Sequence, residues 1–435
     1  MPEKPTGFLG AWADMVGPNW MPALPRRRGR KPRVSIDQLL QGLTFHVMQG
    51  AGTLAEHFFE LFAEPLADSS WSDRRLRLPW EVFADLMRRA LRPVATRRHR
   101  EAFWRGWRVT ALDGTQYSVT NTPQITATTT KAKSRRGRAA FAKITVSVLL
   151  ELGLHNPLAA GIGQQGESEW ELSRRVLAQL PRRVLVLADR LYGVPAFIVH
   201  ALGACQRVGS HFLFRIPRHL TAEGIKRFPD GSRRIRVAVR EKGRPSHILQ
   251  WLDLREIRVR VGRPGFRQQE LRLWTSLLSP RTAPALELAQ LYAQRWEHEL
   301  YFREAKRVLR QTDVLQSHTV VTAAQEIAAI VLATALLARE RARAAAGRVL
   351  VLRVKFGVVL AVVRSMWFYL GPLEDLLTDK QKGQVVERGQ ALMRRCVTAK
   401  RRPRTNPRAV RQPVRKWPRL MHTQSVEGPV QFKIV

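Results

Sequence analysis

The sequence contains little cysteine and no long apolar run. Its two cysteines, Cys205 and Cys396, are too few for a disulfide framework and lack the paired spacing of a zinc site. The longest apolar candidate, Ile327 to Ala338, has twelve residues, fewer than a membrane span needs. The first residues carry acids and lack the apolar core of a signal peptide. These absences favour a cytoplasmic protein without a membrane anchor.

Acidic residues are also scarce. The chain has 435 residues, with 74 Lys and Arg against 35 Asp and Glu, which gives a formal net charge of +39. Such an imbalance is typical of a protein that binds a polyanion, and with a membrane disfavoured we expect nucleic acid. Hydrophobic residues make up 45% of the chain, so it is globular and long enough for roughly two to four domains.

The periodicity of the apolar residues changes along the chain. Residues 1–105 repeat them at helical spacing and predict a helical N-terminal domain. Residues 106–217 alternate short β-branched runs with helices, as an α/β domain does. Residues 218–280 contain consecutive strand patterns and predict a β-rich insertion. Helices resume in residues 281–346, as the second part of the α/β domain, and residues 347–435 are helical and then basic.

Two basic segments are expected to contact phosphates. The first, RRRGRKPR at Arg26 to Arg33, resembles an AT-hook loosely, and a basic linker is the preferred interpretation. The second, residues 393–419, has eleven Lys and Arg, four prolines and no acid. That composition predicts an extended, phosphate-binding tail.

The sequence GIGQQG, Gly161 to Gly166, matches a dinucleotide-binding fingerprint, since a helix and then a strand ending at Asp189 follow it. The segment before it, LHNPLAA, is a poor central strand because of its asparagine and proline. Three glutamates at the start of the helix would repel a pyrophosphate. We therefore interpret the glycines as a turn, predict a capping box of Ser168 and Glu171, and keep a nucleotide-binding enzyme as a weaker alternative.

The segment YAQRWEHELYFREAK, residues 292–306, contains three carboxylates. At about 100° per residue, a helix places four of its side chains in one stripe about 60° wide: Tyr292, Arg295, Glu299 and Lys306. Glu297 and Glu304 fall on the opposite side, near 140° and 120°, and are interpreted as ordinary solvated charges. Glu299 is the acid that shares a face with the bases, although a plain ion pair with Arg295 would look the same.

Two aspartates end β-like runs, Asp113 in VTALDGT and Asp189 in RVLVLADRLYG. Sheets of α/β proteins place their sites at the carboxyl ends of strands, although a hairpin turn at Asp-Gly and an N-cap at Asp189 are alternatives. With Glu299, two aspartates in a very basic chain predict a hard-cation site, because Mg²⁺ prefers oxygen ligands and is often shared with a substrate phosphate. Two such ions can clamp both oxygens of a phosphodiester exchange.

These motifs resemble the insertion-sequence-4 group of bacterial DDE transposases over roughly residues 107–340. The Tyr-x2-Arg-x3-Glu-x6-Lys signature of that group is met at Tyr292, Arg295, Glu299 and Lys306, and LDGT and ADRLYG resemble its two aspartate motifs. The resemblance implies an α/β fold with an RNase H-like mixed-sheet catalytic domain in two parts, 106–217 and 281–346. The insertion at 218–280 separates them. A helical N-terminal domain, 1–105, would bind DNA ends, and the basic C-terminal tail would follow.

The resemblance also implies roles for the site residues. Asp113, Asp189 and Glu299 would be catalytic and would bind two Mg²⁺ ions, for which Mn²⁺ can substitute. Tyr292, Arg295 and Lys306 would contact DNA. The implied activity is metal-dependent nicking and strand transfer at insertion-sequence ends, on terminal inverted repeats and target DNA. The protein would act as a homodimer in a synaptic complex, in the bacterial cytoplasm and at the nucleoid. A catalytically inactive, strongly basic DNA-binding protein derived from a transposase is the alternative.

Overall fold

The computed structural model describes residues 7–17, 20, 33–129, 131, 133–134, 137–164, 166–262, 268–398 and 431–434. The chain forms two compact units: unit 1 comprises residues 1–186, 204–210 and 295–397, and unit 2 comprises residues 187–203, 211–294 and 398–435. The AT-hook-like segment, except Arg33, and the basic tail beyond residue 398 lie outside the described residues. The domain boundaries expected after residues 105, 217, 280 and 346 stay predictions.

In the described residues, helices come first, strands and helices are interspersed from residue 103 to residue 275, and helices follow up to residue 395. The α-helices are α1 (Phe8–Val16), α2 (Ile36–His46), α3 (Leu54–Phe62), α4 (Asp68–Leu76), α5 (Trp80–Ala90), α6 (Pro123–Thr128), α7 (Glu169–Leu177), α8 (Pro195–Arg207), α9 (Ala285–Tyr292), α10 (Trp296–Arg303), α11 (Val320–Ala345), α12 (Phe356–Tyr369) and α13 (Asp379–Arg395). The strands are β1 (Phe103–Trp104), β2 (Trp107–Ser118), β3 (Lys133–Ser134), β4 (Gly137–Arg138), β5 (Lys143–Glu151), β6 (Asn156–Ile162), β7 (Val184–Ala188), β8 (His211–Arg215), β9 (Glu223–Arg227), β10 (Arg233–Glu241), β11 (Arg244–Gly262), β12 (Gln269–Thr275) and β13 (Gln431–Ile434).

Helix α11 forms the core of the helical part of unit 1, where it packs against α2, α5, α12 and α13 and against strand β6. It is 26 residues long and apolar enough to cross a membrane by length and composition, but 89% of its most apolar window is buried inside the protein. The expectation that no stretch reaches the length of a span is therefore wrong. Burial against the surrounding helices explains the apolar composition of α11 without a lipid environment.

The sheet of unit 1 has the strand order β6–β5–β2–β7, and the β2–β5 and β5–β6 pairs are antiparallel. The predicted capping box of Ser168 and Glu171 is confirmed at the start of α7, which packs on β2, β5 and β6. Pro157 lies in β6, at the edge of this order, where a missing N–H is tolerated. Gly161 is also part of β6, so its interpretation as a turn residue is wrong.

Unit 2 contains the strand order β8–β12–β11–β10–β9, in which each neighbouring pair is antiparallel. Strand β13 pairs with β11, and helix α9 packs against both. Strands β9 to β12 are the consecutive strands expected in residues 218–280. The predicted α/β fold class is confirmed, with helices in the N-terminal region and consecutive strands in residues 218–280. The RNase H-like assignment of the catalytic domain stays a prediction.

Candidate active site

Asp113 lies in the middle of strand β2, opposite Val148 of β5. The prediction that it ends its strand is wrong, because β2 continues to Ser118. The Asp113 side chain is 15% exposed. Its Oδ1 accepts a hydrogen bond from the Gly114 N–H at 3.0 Å, and its Oδ2 accepts one from Nη1 of Arg295 at 3.0 Å. The first predicted acid is therefore held by its own strand and by Arg295, the residue just before the helix that carries Glu299.

Gly114, the residue after Asp113, has no side chain and so leaves space on one face of the sheet. A Cβ atom on Gly114 would lie 2.2 Å from Cδ of Glu169, at the start of α7. Successive side chains of a strand point to opposite faces of the sheet. Asp113 therefore faces Arg295, and Gly114 leaves room for Glu169 on the other face. The Asp-Gly pair serves packing on two faces here, and the hairpin-turn alternative is wrong.

Arg295 connects the two acids of unit 1. It closes a 3-10 turn, Ala293–Arg295, just before α10, and its side chain is 16% exposed. Its Nη2 lies 3.9 Å from Oε1 of Glu299, whose side chain is 45% exposed. Asp113 and Glu299 thus both approach the guanidinium of Arg295. The ion pair between Arg295 and Glu299 that the sequence suggested is present, and Asp113 is a second and closer partner of the same arginine.

The segment around Glu299 is not one regular helix. Helix α9 ends at Tyr292, a 3-10 turn follows, α10 covers Trp296–Arg303, and Glu304–Leu309 form a π-helix. A constant 100° per residue therefore does not apply across it. The separation that the angle predicted still holds, because Glu297 and Glu304 both contact His155, whereas Glu299 shares Arg295 with Asp113.

The interpretation of Glu297 and Glu304 as solvated charges is wrong. His155 Nδ1 lies 2.6 Å from Oε2 of Glu304, and its Nε2 lies 3.2 Å from Oε2 of Glu297. Nη1 of Arg341 donates to Oε1 of Glu304 at 3.2 Å. Burial alone would lower the pKa of His155, but the Glu304 charge and both hydrogen bonds outweigh it and raise that pKa. This buried cluster fixes the back of the segment that carries Glu299.

His298 was missed in the sequence, although it precedes Glu299 and lies one helical turn after Arg295. Its side chain is 0% exposed, and its Nδ1 lies 3.9 Å from Oδ2 of Asp113. Neither ring nitrogen makes a hydrogen bond of good geometry among the described residues, although the Val148 backbone is close enough to raise the pKa of His298 slightly against the larger lowering effects. Burial, followed by the Arg295 charge, holds the pKa of His298 well below its ordinary value, so the imidazole is neutral. Buried polar groups without partners are rare and concentrate where a ligand or a function needs them.

Lys306 reaches back to strand β2 from the π-helix. Its Nζ donates to Oγ1 of Thr115 at 2.6 Å and to the Gln116 carbonyl at 2.7 Å, and it lies 4.7 Å from the ring centroid of Tyr117. Burial and then neighbouring cations lower the pKa of Lys306 to about 8. The amine of Lys306 is therefore held in place beside Thr115 and Gln116, two and three residues beyond Asp113 on strand β2. The π-helix that carries Lys306 fits such a position, because π-helical turns often occur at functional sites.

Asp189 and Tyr292 belong to unit 2. Asp189 follows the last residue of β7, and its Oδ1 accepts the Leu191 N–H at 2.7 Å. The hydroxyl of Tyr292 donates to the carbonyl of Ala188, the residue before Asp189, at 3.2 Å. Tyr292 is 6% exposed. The tyrosine that was expected to contact DNA is therefore buried here and fixes the backbone that leads into the second predicted acid.

Asp113 and Glu299 offer hard carboxylate oxygens that already share a positive partner, which suits a divalent cation. Asp189, which belongs to unit 2, is also a carboxylate. Of the residues that the structure describes, no three His, Cys, Asp or Glu side chains form a ready-made metal-binding group. The ligand set of Asp113, Asp189 and Glu299, like the DNA contacts of Tyr292, Arg295 and Lys306, stays a prediction.

Comparisons with known proteins agree with the motifs. Residues 104–336 match the sequence model of the family described as the transposase DDE domain. The transposase InsG for insertion sequence element IS4 of Escherichia coli (strain K12) is 26% identical over 234 residues, which are 53% of this chain and 51% of that protein. The chain thus spans about half the length of this curated relative. A cryo-EM structure of a piggyBac transposase synaptic complex with hairpin DNA aligns with a TM-score of 0.47 at 7% identity, covering 94% of this chain and 89% of that chain.

Proposed function

Because the chain belongs to the transposase DDE domain family, we propose that it is a DNA transposase that nicks DNA at insertion-sequence ends and joins the freed strand to a target. The observation that carries the proposal is the approach of Asp113 and Glu299 to one guanidinium, inside the residues that the family model matches. A divalent cation bound by such acids supplies charge neutralisation and lowers the pKa of a bound water. Asp113, Asp189 and Glu299 would hold it.

The chain's own residues would position the DNA. Release from Asp113 would let the guanidinium of Arg295 bind a phosphate in a bidentate manner. Lys306, anchored on β2, would present a point charge to the same backbone. Tyr292 would act through Asp189, since its hydroxyl holds the preceding carbonyl.

The proposal also specifies the metal ion, the DNA substrate and the oligomeric state. The cation would be Mg²⁺, as two ions, with Mn²⁺ as a substitute. The DNA would be terminal inverted repeats and a target duplex, paired by a homodimer in the bacterial cytoplasm at the nucleoid. The net charge of +39 supports a polyanionic partner.

The test uses the full chain and duplexes that contain the inverted repeats flanking its gene. We expect nicking that requires Mg²⁺ or Mn²⁺ and falls by about 100-fold or more in Glu299→Gln, the scale of losing one essential catalytic group. Glu387→Gln, an exposed acid on α13, is the matched control and should nick normally. Equal nicking by Glu299→Gln would overturn the proposal. DNA binding without any metal-dependent nicking by the wild type would support the inactive DNA-binding protein.

A further inference from the structure

A basic pocket of about 730 Å³ lies in unit 1, and none of the site residues described above lines it. Two loops form it: residues 97–101, just before β1, and residues 347–353, just after α11. Its basic lining residues are Arg97, Arg98, His99, Arg100, Arg348 and Arg353. Glu101 is the one acid among the lining residues that the structure describes. The pocket therefore concentrates positive charge in a concave surface, which focuses the field on an anion.

The single acid does not neutralise these arginines. Oε1 of Glu101 accepts a hydrogen bond from the backbone N–H of Val351 at 3.1 Å, which ties the two loops together. In the described part of the chain, no ion pair involves Arg97, Arg98, Arg100 or Arg348. The charges of these four arginines are therefore available to a ligand.

The arginines are not needed to cap helix α11 either. The backbone N–H groups of Ala346 and Arg348 donate to the carbonyls of Ala342 and Ala345, at 3.0 and 2.8 Å. Arg394, from α13, donates to the carbonyl of Ala344 at 2.9 Å. The last carbonyls of α11 thus have other partners, and helix capping does not account for the side chain of Arg348 or for the arginines of residues 97–101.

We propose that this pocket binds the sugar-phosphate backbone of duplex DNA, with Arg98, Arg100 and Arg348 each contacting a phosphate. Guanidinium groups bind phosphate oxygens in a bidentate manner, and mutual repulsion among them is relieved when a polyanion enters. This contact would fix the position of the duplex without reading its sequence. The inference rests on the proposed DNA substrate and adds a contact surface separate from the acids.

The salt dependence of DNA binding tests the pocket. Each phosphate contact contributes about 0.9 to the slope of log K against log salt concentration. The triple variant Arg98→Ala, Arg100→Ala and Arg348→Ala should lower that slope by about 2.7, so it loses about 40-fold less affinity than the wild type between 50 and 200 mM salt. Affinity is measured by fluorescence anisotropy on a labelled duplex in EDTA, where no strand is cut.

Two matched variants separate the pocket from net charge and from folding. Changing Arg207, Arg388 and Arg395 to alanine removes three exposed arginines elsewhere in unit 1, and should change the slope by less than about 1, the effect of a single contact. Changing the three pocket arginines to lysine should keep most of the slope, because lysine also binds phosphate as a point charge.

Equal slopes for the pocket variant and the Arg207, Arg388 and Arg395 variant would overturn the proposal. A slope that falls as far in the lysine variant as in the alanine variant would overturn it too, because the loss would then come from altered loops. The binding assay needs no cleavage, so its result is independent of the nicking test. A wild type that never nicks DNA but shows the expected slopes leaves the pocket in place and refutes the transposase proposal alone.

Discussion

Replacing Glu304 by glutamine should destabilise the protein far more than replacing Glu299, although five residues separate them. Glu304 has two buried partners, His155 at 2.6 Å and Arg341 at 3.2 Å. Breaking a buried charge pair by neutralising one member costs about 3–5 kcal/mol. The Glu299 side chain is 45% exposed and its cation is 3.9 Å away, and such a pair contributes about 0–1 kcal/mol. The free energies of unfolding of the two variants should therefore differ by about 3 kcal/mol.

The loss of stability in Glu304→Gln should depend on pH, because it depends on the charges of both Glu304 and His155. Burial would raise the pKa of Glu304, but His155 and Arg341 outweigh it and lower that pKa below 4.5. The contribution of Glu304 is complete above pH 4.5 and is lost as the pH falls through the lowered value. The pKa of His155 is raised above 6.5, so its contribution is complete below pH 6.5 and is lost as the pH rises. The difference between wild type and Glu304→Gln should peak between pH 4.5 and 6.5.

Urea unfolding followed by circular dichroism at about pH 5.5 measures the change, with Glu299→Gln as the matched control. Repeating the series at pH values on either side of this window tests the sign. Equal unfolding free energies for the two variants would refute the buried ion-pair argument. A Glu304→Gln effect that is constant over the whole pH range would refute the assignment to His155.

The other predictions concern single positions around the site. Gly193→Ala should destabilise unit 2 by about 1–3 kcal/mol or more, because its Cβ would lie 1.9 Å from the carbonyl oxygen of Arg215. Gly203→Ala, in helix α8, is the matched control: its Cβ would have no atom within 4 Å, so the change should stabilise unit 2 by about 0.5–1 kcal/mol. Thermal unfolding measures both variants. His298→Leu should change the free energy of unfolding by about 1 kcal/mol or less, since the buried imidazole meets a polar partner, the Val148 backbone, only loosely. Nicking should fall, because the imidazole lies beside Asp113. A large loss of stability would show that the imidazole has a structural role. The pKa of Lys306 is about 8, so its amine is mostly neutral at about pH 9, and a bound phosphate that raises this pKa should make the complex take up most of one proton. Calorimetry of DNA binding in buffers of different ionisation enthalpy measures this uptake. Lys306→Met should abolish it.

The sequence could identify the acids, because their motifs are local. Asp113, Asp189 and Glu299 each stand in a short run whose pattern is readable without the fold. The position of Asp113 within its strand was not readable, since Asp-Gly favours a turn when taken alone. Strand β2 continues through Gly114 because it stays paired with β5 as far as Ser118. The absence of a side chain at Gly114 leaves room for Glu169, and both features depend on elements distant in the sequence.

The partner of Glu297 and Glu304 could not be predicted from the sequence for a similar reason. His155 is 142 residues from Glu297 and 149 residues from Glu304, so helical spacing carries no information about it. The change from 3-10 through α to π geometry between residues 293 and 309 likewise accompanies packing against other elements. A helical wheel could separate Glu299 from the other two glutamates, but it could not tell a buried charge from a solvated one.

The scarcity of acids gives the exposure of Glu299 its meaning. In a chain with 74 bases and 35 acids, an acid has no shortage of cations to pair with. Glu256 is buried and contacts Arg233, Arg258 and Arg272, and Glu151 pairs with Arg108. Glu299 instead stays 45% exposed, with its guanidinium neighbour at 3.9 Å and more closely bound to Asp113. A carboxylate left so loosely paired among many bases is accessible to a cation from solution, which is what a metal ligand requires.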